Sequence, residues 1–148
     1  MIRNSFIFLD KVGPKLEENL HSIGIKSWDD FIRQENIAGL SDLRKKYYER
    51  RIIEAREHLY NFDSRYFIGK MKSTENWRLY DFFKEDAVFL DIETTGLSRD
   101  SSITLLGLFD GTQTKAFVKG INFDKNEIKK EIEKYKMIVT FNGSTFDL

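Results

Sequence analysis

A chain of 148 residues can hold one ordinary domain, or a small module followed by part of a larger one. Its 24 Lys and Arg balance 24 Asp and Glu, so net charge singles out neither a polyanion nor a membrane surface as partner. The lack of cysteine excludes a disulfide framework, a thiolate metal site and a cysteine nucleophile. No apolar stretch reaches the length of a membrane span, and the N-terminus lacks the apolar core of a signal peptide. A cytoplasmic location with no membrane partner is expected, and the 13 Phe argue against disorder.

Residues 6 to 32 read as two short helices around a tight turn. In Val12-Gly13-Pro14-Lys15 the proline sits where a first helical turn tolerates it, and Leu16 and Leu20 follow at helical spacing. Gly24 ends this helix, and Ser27 with Asp30 three residues on opens the second through Phe31 and Ile32. The pattern resembles the helix-hairpin-helix module, and the resemblance implies that Lys11, Gly13 and Lys15 meet a nucleic-acid phosphate. Lys11 departs from the module, which usually has glycine there. If the turn needs positive φ, Lys11 strains it; if not, Lys11 and Lys15 add charge for the phosphate. A helical hairpin that only packs remains the alternative.

A third helix is predicted over residues 41 to 62, capped by Ser41, with Tyr48, Ile52, Ala55 and Leu59 as one apolar stripe. Arg44, Lys45, Lys46, Arg50, Arg51 and Arg56 surround the stripe and suit either a nucleic-acid backbone or plain solvent. His58 and Asp63 have the H-x-x-x-x-D spacing of some exonucleases, but they precede the candidate site and are expected to be structural. His21 is expected at a helix end. Gly69 and the polar run 72–76 mark residues 65–85 as a linker, with Trp77, Leu79, Tyr80 and Phe83 as an amphipathic turn.

The stretch 87–96, AVFLDIETTG, reads as a buried strand that ends in two carboxylates. Strand alternation puts Asp91 and Glu93 on one face and Ile92 on the other. Two like charges side by side call for a cation between them, and a divalent metal is the obvious one. Residues 103–109 form a second strand, Asp110-Gly111 a hairpin turn and residues 114–118 the returning strand. Asp124 with Glu127 opens a helix over about 125–136, and residues 137–141 are a fourth strand. If the fourth strand lies beside the first, Asp147 arrives at the end of the sheet that carries Asp91 and Glu93.

D-I-E-T-T-G-L at 91–97 resembles the first motif of the DEDD-group 3′–5′ exonucleases, and N-x-x-x-F-D at 142–147 resembles the second. The nearest likeness is to exonucleases related to the proofreading domain of family B DNA polymerases. The resemblance implies an α/β fold, an incomplete ribonuclease H-like mixed sheet preceded by a small all-helical module. It implies Asp91, Glu93 and Asp147 as catalytic ligands of Mg²⁺ or Mn²⁺ at a two-metal site, Thr95 and Leu97 at the 3′ end of a strand, and Asn142 shaping the site. The family's third motif, which brings a fourth carboxylate and a Tyr or His, is not met before Leu148.

The organisation expected is a helix-hairpin-helix-like module at 1–64, a linker at 65–85 and the N-terminal part of a ribonuclease H-like exonuclease domain at 86–148. The partner expected is DNA or RNA, and the fragment by itself is expected to be inactive. Two alternatives stand beside this reading: a non-catalytic nucleic-acid-binding protein, and one subunit of a split nuclease completed by a chain that brings the missing half.

Overall fold

The computed structural model describes residues 1–96 and 101–141. It divides into two units, Met1–Phe82 and Phe83–Leu148.

In the first unit, residues 5–11 form turns rather than a helix, and Lys11 takes φ 62°. Of the two conformations open to Lys11, the left-handed one is realised, at a cost of about 1–2 kcal/mol for a residue with a Cβ. Helix α1 (Pro14–Ser22) follows, with Gly13 extended at its N-cap and Pro14 at its first position. Helix α2 (Trp28–Arg33) begins with the Ser27 hydroxyl accepting the Asp30 N–H at 3.2 Å. The Asp30 carboxylate reciprocates, accepting from the Ser27 hydroxyl at 2.7 Å and the Lys26 N–H at 3.2 Å. The first of these bonds is the main cause holding Asp30 below the usual carboxylate range.

Helix α3 (Asp42–Tyr60) buries Lys45, Tyr48, Ile52, Ala55 and Leu59, which is the predicted stripe plus one lysine. Aromatic contacts fill the space beside it: Phe6 meets Phe31 at 5.6 Å and Phe8 meets Trp28 at 5.3 Å, centroid to centroid. The Trp28 indole donates to the Ser5 carbonyl at 2.8 Å, so the largest buried ring also satisfies its polar atom. Residues 64–86, read from the sequence largely as a connector, are a chain of short helical turns with Phe67, Leu79 and Phe83 buried. Among them is the four-residue helix α4 (Tyr80–Phe83).

The second unit is a mixed sheet of β1 (Ala87–Thr94), β2 (Ile103–Phe109), β3 (Thr114–Val118) and β4 (Met137–Thr140), in the order β3-β2-β1-β4. The β1–β2 and β2–β3 pairs are antiparallel, and β4 runs parallel to β1 with Leu90 beside Thr140. A parallel pair needs a crossover. Helix α5 (Lys125–Ile132) supplies it, opened by the Asp124 carboxylate, which accepts the Asn126 and Glu127 N–H groups. The helix stops at Ile132 rather than near 136. Lys136 N–H donates to the Asp86 carbonyl at 2.8 Å, so the chain has already turned to bring Met137 beside Ala87. Val88, Leu106, Leu108 and Ile128 form the core, with Leu90, Ile92, Phe117, Phe123, Ile132 and Tyr135 packed against it.

The β2–β3 turn titrates at an unusual pH. The Asp110 carboxylate accepts the Gln113 N–H at 2.8 Å, the Thr112 hydroxyl at 2.8 Å and the Thr112 N–H at 2.9 Å, which lowers its pKa to about 2. A depressed carboxylate stabilises the fold above its unfolded value, and that contribution is lost as pH falls towards the folded value. An NMR titration should therefore show the Thr112 and Gln113 amides shifting together with a midpoint near 2. A midpoint near 3.8 would refute this account of the turn.

Candidate metal and nucleic-acid site

Burial alternates along β1 as the sequence pattern requires. Leu90 and Ile92 pack on the core side, whereas Phe89, Asp91 and Glu93 are exposed. Directly across from Asp91 on β2 stands Gly107, and across from Glu93 stands Leu105. Paired residues project to the same face, so Asp91 has no side chain opposite it. The sequence reading missed Gly107, although one glycine inside the apolar run 103–109 was its signal. A Cβ at Gly107 would meet the Asp91 carbonyl at 3.8 Å and Leu105 at 3.9 Å, both ordinary contacts. Gly107→Val should thus fold, crowd the Asp91 carboxylate and lower Mn²⁺ affinity about tenfold, read by calorimetry.

The ladder shifts register beyond Glu93, whose partner is Leu105, to Thr94, whose partner is Ile103, leaving Thr104 as an extra residue. The Thr104 hydroxyl donates to the Glu93 carbonyl at 3.0 Å. Irregularities of this kind re-aim side chains beside sites. Thr95 is exposed and ties the strand exit: its N–H donates to the Ser102 carbonyl at 3.0 Å and its hydroxyl accepts the Ser102 N–H at 3.1 Å.

Leu97, Asn142 and Asp147 lie outside the described residues. Among the described residues no three His, Asp, Glu or Cys side chains come together as a metal site. The donor set that is described still suits a hard cation, because Asp91 and Glu93 are two exposed carboxylates on one strand face, neither in an ion pair with a described residue. Asp91 and Glu93 would hold Mg²⁺ or Mn²⁺ there.

In the first unit Lys11, Gly13 and Lys15 are all exposed at the entry to α1. Half of the basic face of α3 is neutralised. Lys45 pairs with Glu49, Arg51 with Glu54, and Arg56 with Asp29 at 2.6 Å. Arg44, Lys46 and Arg50 have no carboxylate partner among the described residues. His58 Nδ1 and the Asp63 carboxylate lie 2.8 Å apart, and His58 stacks on Tyr66 with centroids 4.2 Å apart. That hydrogen bond leads the causes that lower the Asp63 pKa, and the pair clasps the end of α3, where Asp63 N–H donates to the His58 carbonyl.

No helix of the described residues is long and apolar enough to cross a membrane. No curated protein and no solved structure matches the chain. Residues 88–148 match the family model described as RNase_H superfamily, and together with the four-stranded mixed sheet this match fits a ribonuclease H-like fold.

Proposed function

We propose that this chain acts in nucleic-acid hydrolysis and carries the first two motifs of a metal-dependent 3′–5′ exonuclease. In this reading Asp91, Glu93 and Asp147 hold the divalent cations, Thr95, Leu97 and Asn142 meet the strand's 3′ end, and Lys11, Gly13 and Lys15 bind its backbone at a helix-hairpin-helix-like turn. The parallel pairing of β1 with β4 carries the proposal. Leu90 lies beside Thr140, so Asp91 comes next on β1, just past the parallel-paired stretch, while the N-x-x-x-F-D motif follows β4 in sequence.

The bound cations would supply charge neutralisation at the scissile phosphodiester and an activated water. The chain's own contribution is to keep two carboxylates on one exposed face, with an open place beside Asp91 and a hydrogen-bonded strand exit at Thr95. Asp91, Glu93 and Asp147 are three of the four carboxylates that the exonuclease reading requires.

The test is release of nucleotides from 3′-labelled single-stranded DNA and RNA in Mn²⁺, for this chain and for the Asp91→Ala, Glu93→Ala double variant. Release that the variant loses supports the site, as does Mn²⁺-dependent strand binding that the variant loses. Release or metal-dependent binding that survives both substitutions overturns it.

A further inference from the structure

Lys11 and Phe62 are the non-glycine residues with left-handed backbone among those described, at φ 62° and 55°. Phe62 stands just past α3, where helices commonly end in that region. Lys11 ends no helix. Its turn is held from a distance by α3: the Tyr47 hydroxyl donates to the Asp10 carboxylate, and the Tyr48 hydroxyl donates to the Asp10 carbonyl at 2.8 Å. Strain that surrounding structure maintains in this way is a reason to look for function.

The same stretch of α3 fixes a second cation. Arg44 Nε donates to the Tyr48 hydroxyl at 2.9 Å, and its guanidinium lies 5.6 Å from the centre of that ring. Asp10, Lys11, Arg44, Tyr47 and Tyr48 line one open recess of about 400 Å³. The only carboxylate in this lining is that of Asp10, and Tyr47 occupies it; the hydrogen bond is the chief cause raising the Tyr47 pKa, which keeps the hydroxyl a donor. Neither Lys11 nor Arg44 has a carboxylate partner among the described residues, whereas Lys45, Arg51 and Arg56 on the same helix all do. An ammonium and a planar guanidinium at one recess suit a tetrahedral oxyanion.

We propose that the recess between the Asp10-Lys11 turn and α3 holds one backbone phosphate of a nucleic-acid strand, with Lys11 and Arg44 as its ligands. The proposal deepens the nucleic-acid reading and rests on it. It adds Arg44 and a side-chain recess to the hairpin contact at Lys11, Gly13 and Lys15, and it explains why lysine stands where glycine would be unstrained. A strand phosphate and a free phosphate ion share this chemistry, and the arms of the experiment separate them.

The experiment is fluorescence anisotropy of a labelled oligothymidylate across a chloride series in EDTA, where divalent cations do not contribute. Lys11→Gly removes the charge and the strain together. Its Tm should hold or rise, while affinity falls about tenfold and the slope of log K against log salt drops by about 0.7, the signature of one lost single-strand phosphate. Arg44→Gln should lower the slope equally, and the double variant should add little, since both groups serve one phosphate. Lys11→Arg should restore most of the binding.

Unchanged affinity and slope in both single variants would overturn the proposal. So would inorganic phosphate binding that both variants weaken while their strand affinity and salt slope stay at the parent values, which would assign the recess to the free ion. If the parent chain fails to bind in EDTA yet releases nucleotides in Mn²⁺ in an Asp91-dependent way, this site falls and the hydrolase reading stands.

Discussion

Asp91→Asn is expected to weaken Mn²⁺ binding about hundredfold while leaving the metal-free fold as stable as before or slightly more so. The two effects have separate causes. Losing one carboxylate charge from the ligands of a divalent cation forfeits on the order of 2–3 kcal/mol at the intermediate dielectric of a partly exposed site. Without metal, Asp91 and Glu93 are like charges two strand positions apart on one exposed face, a separation of roughly 7 Å, and their repulsion near water is about 0.5 kcal/mol. Isothermal calorimetry for affinity and thermal unfolding in EDTA read the two quantities independently. A residue kept for structure would lose stability on substitution; a parallel fall in Tm without loss of affinity would remove Asp91 from the proposed site.

Glu17→Ala should destabilise the first unit strongly, costing about 3–5 kcal/mol. Glu17 is 6% exposed and meets three donors. Its Oε1 accepts the Ser5 hydroxyl at 2.7 Å and the Phe6 N–H at 2.6 Å, and its Oε2 pairs with Arg78 at 3.2 Å. Ser5 is fully buried, so its hydroxyl and the Phe6 amide would lose their partner where water does not replace it. Arg78 would keep Glu75 at 2.8 Å, which sets the upper end of the range rather than more. For a unit of this size the cost corresponds to a Tm lowered by roughly 15 °C or more, followed by Trp28 fluorescence. Glu17→Gln retains an acceptor for Ser5 and Phe6 and should cost less than half as much; equal losses for the two variants would refute the role given to these hydrogen bonds.

The sheet was legible because its signals are local. Alternation along β1, the Asp110-Gly111 turn and the Asp124 cap each lie within a few residues, and the strands and the start of α5 follow within a residue or two, although α5 ends four residues early. The stripe on α3 was legible for the same reason. What escaped depends on partners distant in sequence. Glu17 reads as a solvent-facing helix residue until Ser5 and Arg78 enclose it, and half of the α3 charge is neutralised in part by Asp29, which no local pattern announces. In residues 65–85 the amphipathic turn was readable, with Leu79 and Phe83 buried and Trp77 exposed, whereas the burial of Phe67 was not. At the candidate site, the shared face of Asp91 and Glu93 was readable from period two, whereas the gap at Gly107 needed the β1–β2 register.

The parallel pairing also sets an order in time. β1, β2 and β3 are joined by short connections, whereas Ala87–Leu90 must wait for Met137–Thr140, some fifty residues later in the chain. Loop closure over that span is entropically dearer and slower than closing either hairpin. The expected folding sequence is the three-stranded meander first, then α5, then β4, which pulse-labelled hydrogen exchange would follow strand by strand. Until β4 docks, β1 is an unpaired edge able to recruit a strand from another molecule. The strand that carries the carboxylates is therefore open to misassembly while the protein is being made, an exposure that ends when β4 docks.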